Sequence, residues 1–460
     1  MGNPLEITFI FLSYLSTILL VLGRFIISLW WVYLPVLLLV IIRGLRMKYT
    51  RSNFVKNMEW VLLEITPPRE VKKTPKAIEQ FFYVLHASQR GPNWKERIMQ
   101  GMTQSWFSLE MISREGEIHF LIRTQVFFRD LVESQIYAQY PDAEIKEAVD
   151  YVDSISQDDL DKDYNMWGTE LQLIMDDAYP IKTYPEFEKD ILVEEQRIDP
   201  LSSLLEVMGK IREGEHIWIQ TLVRAVDDEW KKEADKLKDK LLKREAPAKK
   251  VGIIRTEVGA FAKEQRAQLE VLATGKRPES VEEKKQEQKN LAQMTKTELE
   301  TVAAIERSIS KFGYETIIRF LYIARTDNFN MVNVPAVIGS YKQFGSQNMN
   351  GFKPNKKVTT GVDYEIQLKK YRVPYRKRKL LMHYQQRFFE QHSKYIDYLK
   401  PFFFEKLPIL NWFLIRSKPF ILSTEELATI YHFPSEAVKA PLIPKIEAKK
   451  GEPPIGLPME

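Results

Sequence analysis

Residues 106–149 read WFSLEMISREGEIHFLIRTQVFFRDLVESQIYAQYPDAEIKEAV, and this run decides the fold. Two apolar stretches, 106–112 and 118–124, flank Arg114-Glu115-Gly116, the mark of a hairpin. Residues 127–139 follow as a helix, because Phe128, Leu131, Ile136 and Tyr137 recur at helical spacing. Tyr140-Pro141-Asp142 ends that helix, and 143–149 returns as a strand. Upstream, 59–65 (EWVLLEI) is a strand stopped by Pro67-Pro68, neither of which can donate to a ladder. Thr74-Pro75 then opens a helix whose apolar face is Ile78, Phe81, Phe82 and Leu85.

The same alternation resumes downstream. Residues 171–175 form a strand, 200–212 a helix, and 216–225 (HIWIQTLVRA) and 314–325 (YETIIRFLYIAR) two more strands, followed by a helix at 332–345. Between those last two strands, 226–310 is dominated by Lys, Glu, Gln and Ala and reads as a solvated helical arm. The fold class expected is α+β: ferredoxin-like β-α units with an inserted charged helical arm, behind an N-terminal transmembrane helix or helical hairpin. The expected divisions are an anchor with a basic juxtamembrane segment (1–57), a first α+β domain (58–152) and a second (153–350) carrying the insertion. A basic and apolar C-terminal segment (351–436) and a proline-rich linker (437–460) complete the chain.

The anchor is expected from composition. Residues 5–42 hold only two charged side chains, Glu6 and Arg24, and 7–23 and 25–42 each approach the ~20 residues that cross a bilayer. Arg43, Arg46, Lys48, Arg51 and Lys56 follow, which places the rest of the chain on the cytoplasmic side of the cell membrane.

Catalytic patterns are missing. Without cysteine there is no thiol nucleophile, disulfide or cysteine-ligated metal. No phosphate-binding loop, dinucleotide fingerprint or metalloprotease helix occurs, and the six histidines are scattered. The expectation is a protein that is not an enzyme and takes no cofactor. Net charge is only +5, so any basic surface must be local. The strongest local one is KKYRVPYRKR, where Lys369, Lys370, Arg372, Arg376, Lys377 and Arg378 surround two tyrosines. Nucleic acid, anionic lipid and a solvated turn all fit it.

At the C-terminal end, PFILSTEELATIYH (419–432), Phe433-Pro434, Lys445, Glu452-Pro453-Pro454 and Gly456-Leu457-Pro458 closely resemble type IV secretion and conjugative DNA-transfer ATPases of the HerA/FtsK type, just before their motor domain. WVLLEITPP (60–68), IHFLIRT (118–124), YAQYPDAEI (137–145) and the stretch around AIERSISKFGYETIIRFLYIA (304–324) fit the same group. The motor's own motifs are absent, so no catalytic residue carries over. The resemblance implies a membrane-anchored scaffold that positions a HerA/FtsK-type P-loop ATPase supplied in trans. The partners expected are that ATPase, the lipid bilayer, DNA and further copies of the chain. The alternatives are a membrane-bound enzyme or sensor built on Asp, Glu and His, or membrane remodelling through the arm. Docking onto the motor is expected at Glu426, Leu427, Ile430, Tyr431 and His432, on a short helix capped by Ser423. The protein's own core is the competing place for that helix.

Overall fold

A computed structural model describes residues 28, 30–68, 71, 73–160, 162–188, 199–242, 295–361, 369–387, 389, 418–435 and 444. They belong to two compact units, the first holding the described residues up to 58 and residues 90–104, the second the other described residues. In the first unit, helix α1 (Trp30–Lys56) packs beside a π-helical turn at Glu96–Gln100.

The second unit is built on one antiparallel sheet. Its first half runs β1 (Trp60–Thr66), α2 (Lys76–Leu85), β2 (Phe107–Arg114), β3 (Glu117–Gln125), α3 (Arg129–Gln139) and β4 (Glu144–Glu147). These strands lie in the order β4-β1-β3-β2, the ferredoxin-like arrangement. The β2–β3 hairpin closes through Glu115 and Gly116 at φ 54° and 94°, the left-handed pair that a two-residue turn requires.

The second half comprises β5 (Tyr164–Leu173), the short α4 (Tyr184–Glu188), α5 (Ser202–Gly209), β6 (Glu215–Ala225), α6 (Lys231–Leu241), α7 (Lys296–Ile309), β7 (Gly313–Arg325), α8 (Asn333–Lys342) and β8 (Phe352–Pro354). Its order, β6-β7-β5-β8, is that of the first half read from the other end. Strands β2 and β6 pair from Phe107 with Val223 to Arg114 with His216. The two units expected from sequence are therefore halves of one sheet, related by a local two-fold between β2 and β6. Helices α6 and α7 pack together at the base of the insertion, with Ala234 and Ile305 buried. Residues 243–294 of the expected arm lie outside the described residues, as do the apolar stretch 402–415 and nearly all of the proline-rich tail.

Helix α9 (Lys369–Gln385), strand β9 (Phe420–Ser423) and helix α10 (Thr424–Ile430) complete the unit. Strand β9 pairs with the first residues of β7, Gly313–Thr316, where β5 has already turned away to β8. Helices α2, α3, α5, α8 and α10 cover one face, with Ile78, Phe82, Leu204, Val337 and Leu427 in a single core. On the opposite face Leu380, Leu381 and Tyr384 of α9 press on Trp218 and Leu321. With both faces covered, β2, β6 and β7 read as nearly unbroken apolar runs. Each fully buried large side chain of this kind contributes roughly 1.5–3 kcal/mol.

The expected transmembrane helix is corrected by the structure. Among the described residues, no helix is long and apolar enough to cross a membrane. Helix α1 has 27 residues, but its apolar run stops at Ile42 and the helix continues through Arg43, Arg46, Lys48 and Arg51. The other expected span, 7–23, lies outside the described residues.

Candidate functional site

Under α9, four strands bring polar residues into one row. Glu110 of β2 stands opposite Gln220 of β6, Gln220 opposite Arg319 of β7, and Arg319 opposite Glu170 of β5. All four are buried. Arg319 donates through Nε to Glu170 Oε1 at 2.9 Å, and through Nη1 to Gln220 Oε1 at 3.0 Å and His383 O at 3.1 Å. Beyond the end of α9, Arg387 turns back at φ 45° and reaches Glu110 with two bonds, Nε to Oε1 at 2.9 Å and Nη2 to Oε2 at 3.0 Å. The same guanidinium donates to Asp150 at 2.6 and 2.9 Å. Glu110 also accepts from Ser108, Tyr151 and Gln220. Burial pushes the Glu110 carboxyl up, but the Arg387 charge and these hydrogen bonds hold it below its ordinary value. Burial and the nearby Arg319 charge push His383 down to about 4. Arg319 and Gln220 bond the carbonyls of His383 and Tyr384, and Arg387 bonds Glu110, so the row holds α9 and its end to the sheet. Such a network fixes geometry. The sequence carries a signal for it: Arg319, mid-way along YETIIRFLYIAR, and the lone glutamate of WFSLEMI, both flanked by apolar residues in strands too apolar to be exposed, must each find a buried partner.

The basic run forms the start of α9, and the helix splits it. Lys369 and Lys370 are its first two residues. Arg376 turns inward and donates to Thr359 O at 2.8 Å, and burial pushes its guanidinium down to about 10. Lys377 donates to Asn165 Oδ1 at 2.8 Å, Arg372 is half-buried, and Arg378 and Tyr371 are exposed. Arg376, buried under the helix, is therefore withdrawn from any cationic surface the run presents.

The expected docking residues are corrected more sharply: Glu426, Leu427, Ile430, Tyr431 and His432 are all buried in the protein's own core. Helix α10 packs on α2. Ser423 and Glu426 form a capping box, and Glu426 also accepts from the Ile181 backbone at 2.9 Å. Burial pushes the Glu426 carboxyl up to about 7. His432 donates through Nε2 to Asp199 Oδ1 at 3.0 Å, while Leu201 and Ser435 backbone amides donate to the same carboxylate. Burial works against the charge on Asp199, yet His432 and these amides hold it down to about 2. A helix of seven residues has too few hydrogen bonds to stand alone, and the core supplies what it lacks.

Two further surfaces stand outside that core. A cavity of about 490 Å³ opens where β5 leaves β7 for β8, lined by Leu173, Asp176, Asp177, Lys353, Lys418 and Phe420. Its charges balance, and Asp177, raised by burial, accepts from the Ile421 backbone at 3.3 Å. Among the described residues no group of three or more His, Asp or Glu could hold a metal ion.

The other surface is in the first unit. Helix α1 exposes Trp31, Leu38, Leu39, Ile42, Leu45 and Tyr49, and it contains no acidic residue. The model of a domain of unknown function, DUF8128, matches residues 47–445. The chain belongs to the DUF8128 family. No curated protein matches it. The DUF8128 region begins within the basic half of α1 and contains the entire nine-stranded sheet, both halves of the ferredoxin-like pair, and the buried row beneath α9.

Proposed function

We propose that this DUF8128 protein is a non-enzymatic scaffold that rests on an anionic lipid surface and positions a P-loop ATPase of the HerA/FtsK type supplied by another chain. The observation that carries the reading is helix α1, whose exposed apolar residues give way along its length to Arg43, Arg46, Lys48 and Arg51 with no acid among them. The exposed apolar residues enter the headgroup region, and the cations stay level with lipid phosphates. Two further features support a scaffold. The sheet is covered on both faces, and its buried charges are committed to internal pairs. The choice of ATPase rests on the likeness of 419–434 to the segment before such motors. A force-generating motor needs its reaction held, and a scaffold attached to a membrane surface supplies that hold.

The test is flotation. The purified chain should float with vesicles containing phosphatidylglycerol, and far less with phosphatidylcholine alone. A HerA/FtsK-type ATPase should float only when this protein is present, and the protein alone should show no ATP turnover. Turnover that persists through stringent purification, or equal flotation of the ATPase without the protein, would sink the proposal.

A further inference from the structure

The segment at residues 90–104 of the first unit is held in an unusual shape against α1. Glu96 accepts from the Asn93 backbone at 2.9 Å and from Arg90 at 3.3 Å, closing the start of the π-helical turn. Gly101 ends the turn at φ 68°, and a Cβ there would lie 2.4 Å from the Thr50 carbonyl carbon of α1. Only glycine permits both that backbone and that approach. The segment is thereby fixed to the basic half of α1. What it presents outward is unexpected for a polar loop: Trp94 is 76% exposed and Met99 62% exposed, beside exposed Lys95 and Arg97. The single acid in the turn, Glu96, is occupied by Arg90.

We infer that this turn is a second lipid contact, in which Trp94 and Met99 enter the interfacial region of an anionic bilayer while Lys95 and Arg97 meet its phosphates. The inference rests on the proposed lipid-surface role of α1 and extends it to a surface that composition alone does not mark. Tryptophan places an apolar ring and a polar N–H at the depth where hydrocarbon meets headgroup. Methionine adds apolar area and no donor, which suits acyl chains and does nothing for a nucleic-acid backbone. Charge complementarity selects anionic lipid, since each cation near such a surface strengthens binding about fivefold. Two points of contact on one unit also fix its orientation, which a single helix leaves free to rotate about its axis.

The experiment uses the full chain and vesicles of phosphatidylcholine with phosphatidylglycerol, with and without brominated acyl chains. The quenching of the wild type minus that of Trp94→Phe isolates Trp94. A clear loss of quenching in Trp94→Phe is expected, whereas Trp94 fluorescence untouched by the brominated chains overturns the inference. Lys95→Gln/Arg97→Gln should weaken partitioning to anionic vesicles roughly thirty-fold and leave binding to neutral vesicles unchanged. Equal binding by this variant and the wild type would equally overturn it. If the chain floats through α1 but Trp94 is not quenched, the turn's role fails and the scaffold reading survives. If the chain does not bind vesicles at all, both fail.

Discussion

Replacing Arg387 with Met should release the end of α9 from the sheet at a cost that the geometry sets. The arginine is fully buried and makes four charge-assisted bonds, two to Glu110 and two to Asp150. Removing it strands the Glu110 carboxylate, also fully buried, and breaking a buried pair from one side costs about 3–5 kcal/mol. Three neutral donors remain on Glu110, from Ser108, Tyr151 and Gln220, and Asp150 is one-third exposed and can rehydrate. Both soften the loss, so the expected value sits at the low end, about 3 kcal/mol. The left-handed backbone at position 387 contributes nothing to the difference, because Met and Arg carry the same Cβ penalty there. Urea unfolding provides the assay. Trp218 lies 5.0 Å from the Tyr151 ring and 5.6 Å from the Tyr384 ring, so its fluorescence reports on this layer. The double variant Glu110→Gln/Arg387→Met removes both charges and should recover most of the loss, because the cost lies in the uncompensated charge. A single variant within about 1 kcal/mol of wild type would refute the reasoning, as would a double variant less stable than the single one.

Asp199→Asn should cost about 2–3 kcal/mol near neutral pH, from a carboxyl held at about 2 in the fold against ~3.9 unfolded. Because the folded value is depressed, that stability is present above pH ~4 and lost as pH falls toward 2, so the variant should show a shallower acid limb in thermal melts taken across that window. Leu427→Asp should lose about 3 kcal/mol or more and melt early, since it sets a charge in a fully buried site; an unchanged melt would return α10 to the surface.

The strand and helix pattern of residues 59–149 is legible because each element announces itself within a few residues. Glu115 and Gly116 close the hairpin, Pro67 stops β1, and Ile78, Phe81, Phe82 and Leu85 mark one helical face, all of which end up buried. The placement of the charged insertion between β6 and β7 is legible for the same reason. The joining of the two halves into one sheet is not. Strand β2 pairs with a strand more than one hundred residues away, and no local pattern states that Phe107 faces Val223. The membrane expectation failed differently. Hydropathy registers that residues 30–42 are apolar but not where their helix ends, and α1 carries on through five cations to Lys56.

The candidate site shows the same limit more severely. A capping residue, two acids in the first turn and an apolar stripe serve equally well for a docking helix and for one packed at home, so Ser423–Glu426 and Leu427 could not separate the two. What separates them is whether the polar groups find partners inside. Glu426 accepts from Ile181, Thr183 donates to Glu425, and Asp199 accepts from His432, each across more than two hundred residues. An acid that sealed a docking helix would be left solvated in the free protein; here three buried polar groups are already answered. The exposed side of the molecule inverts this logic. Trp94 and Met99 sit on a turn that Gly101 seats against Thr50 of α1, and yet they face outward. A folded chain that had no use for that surface would gain stability by turning them in, since each large apolar side chain buried contributes roughly 1.5–3 kcal/mol.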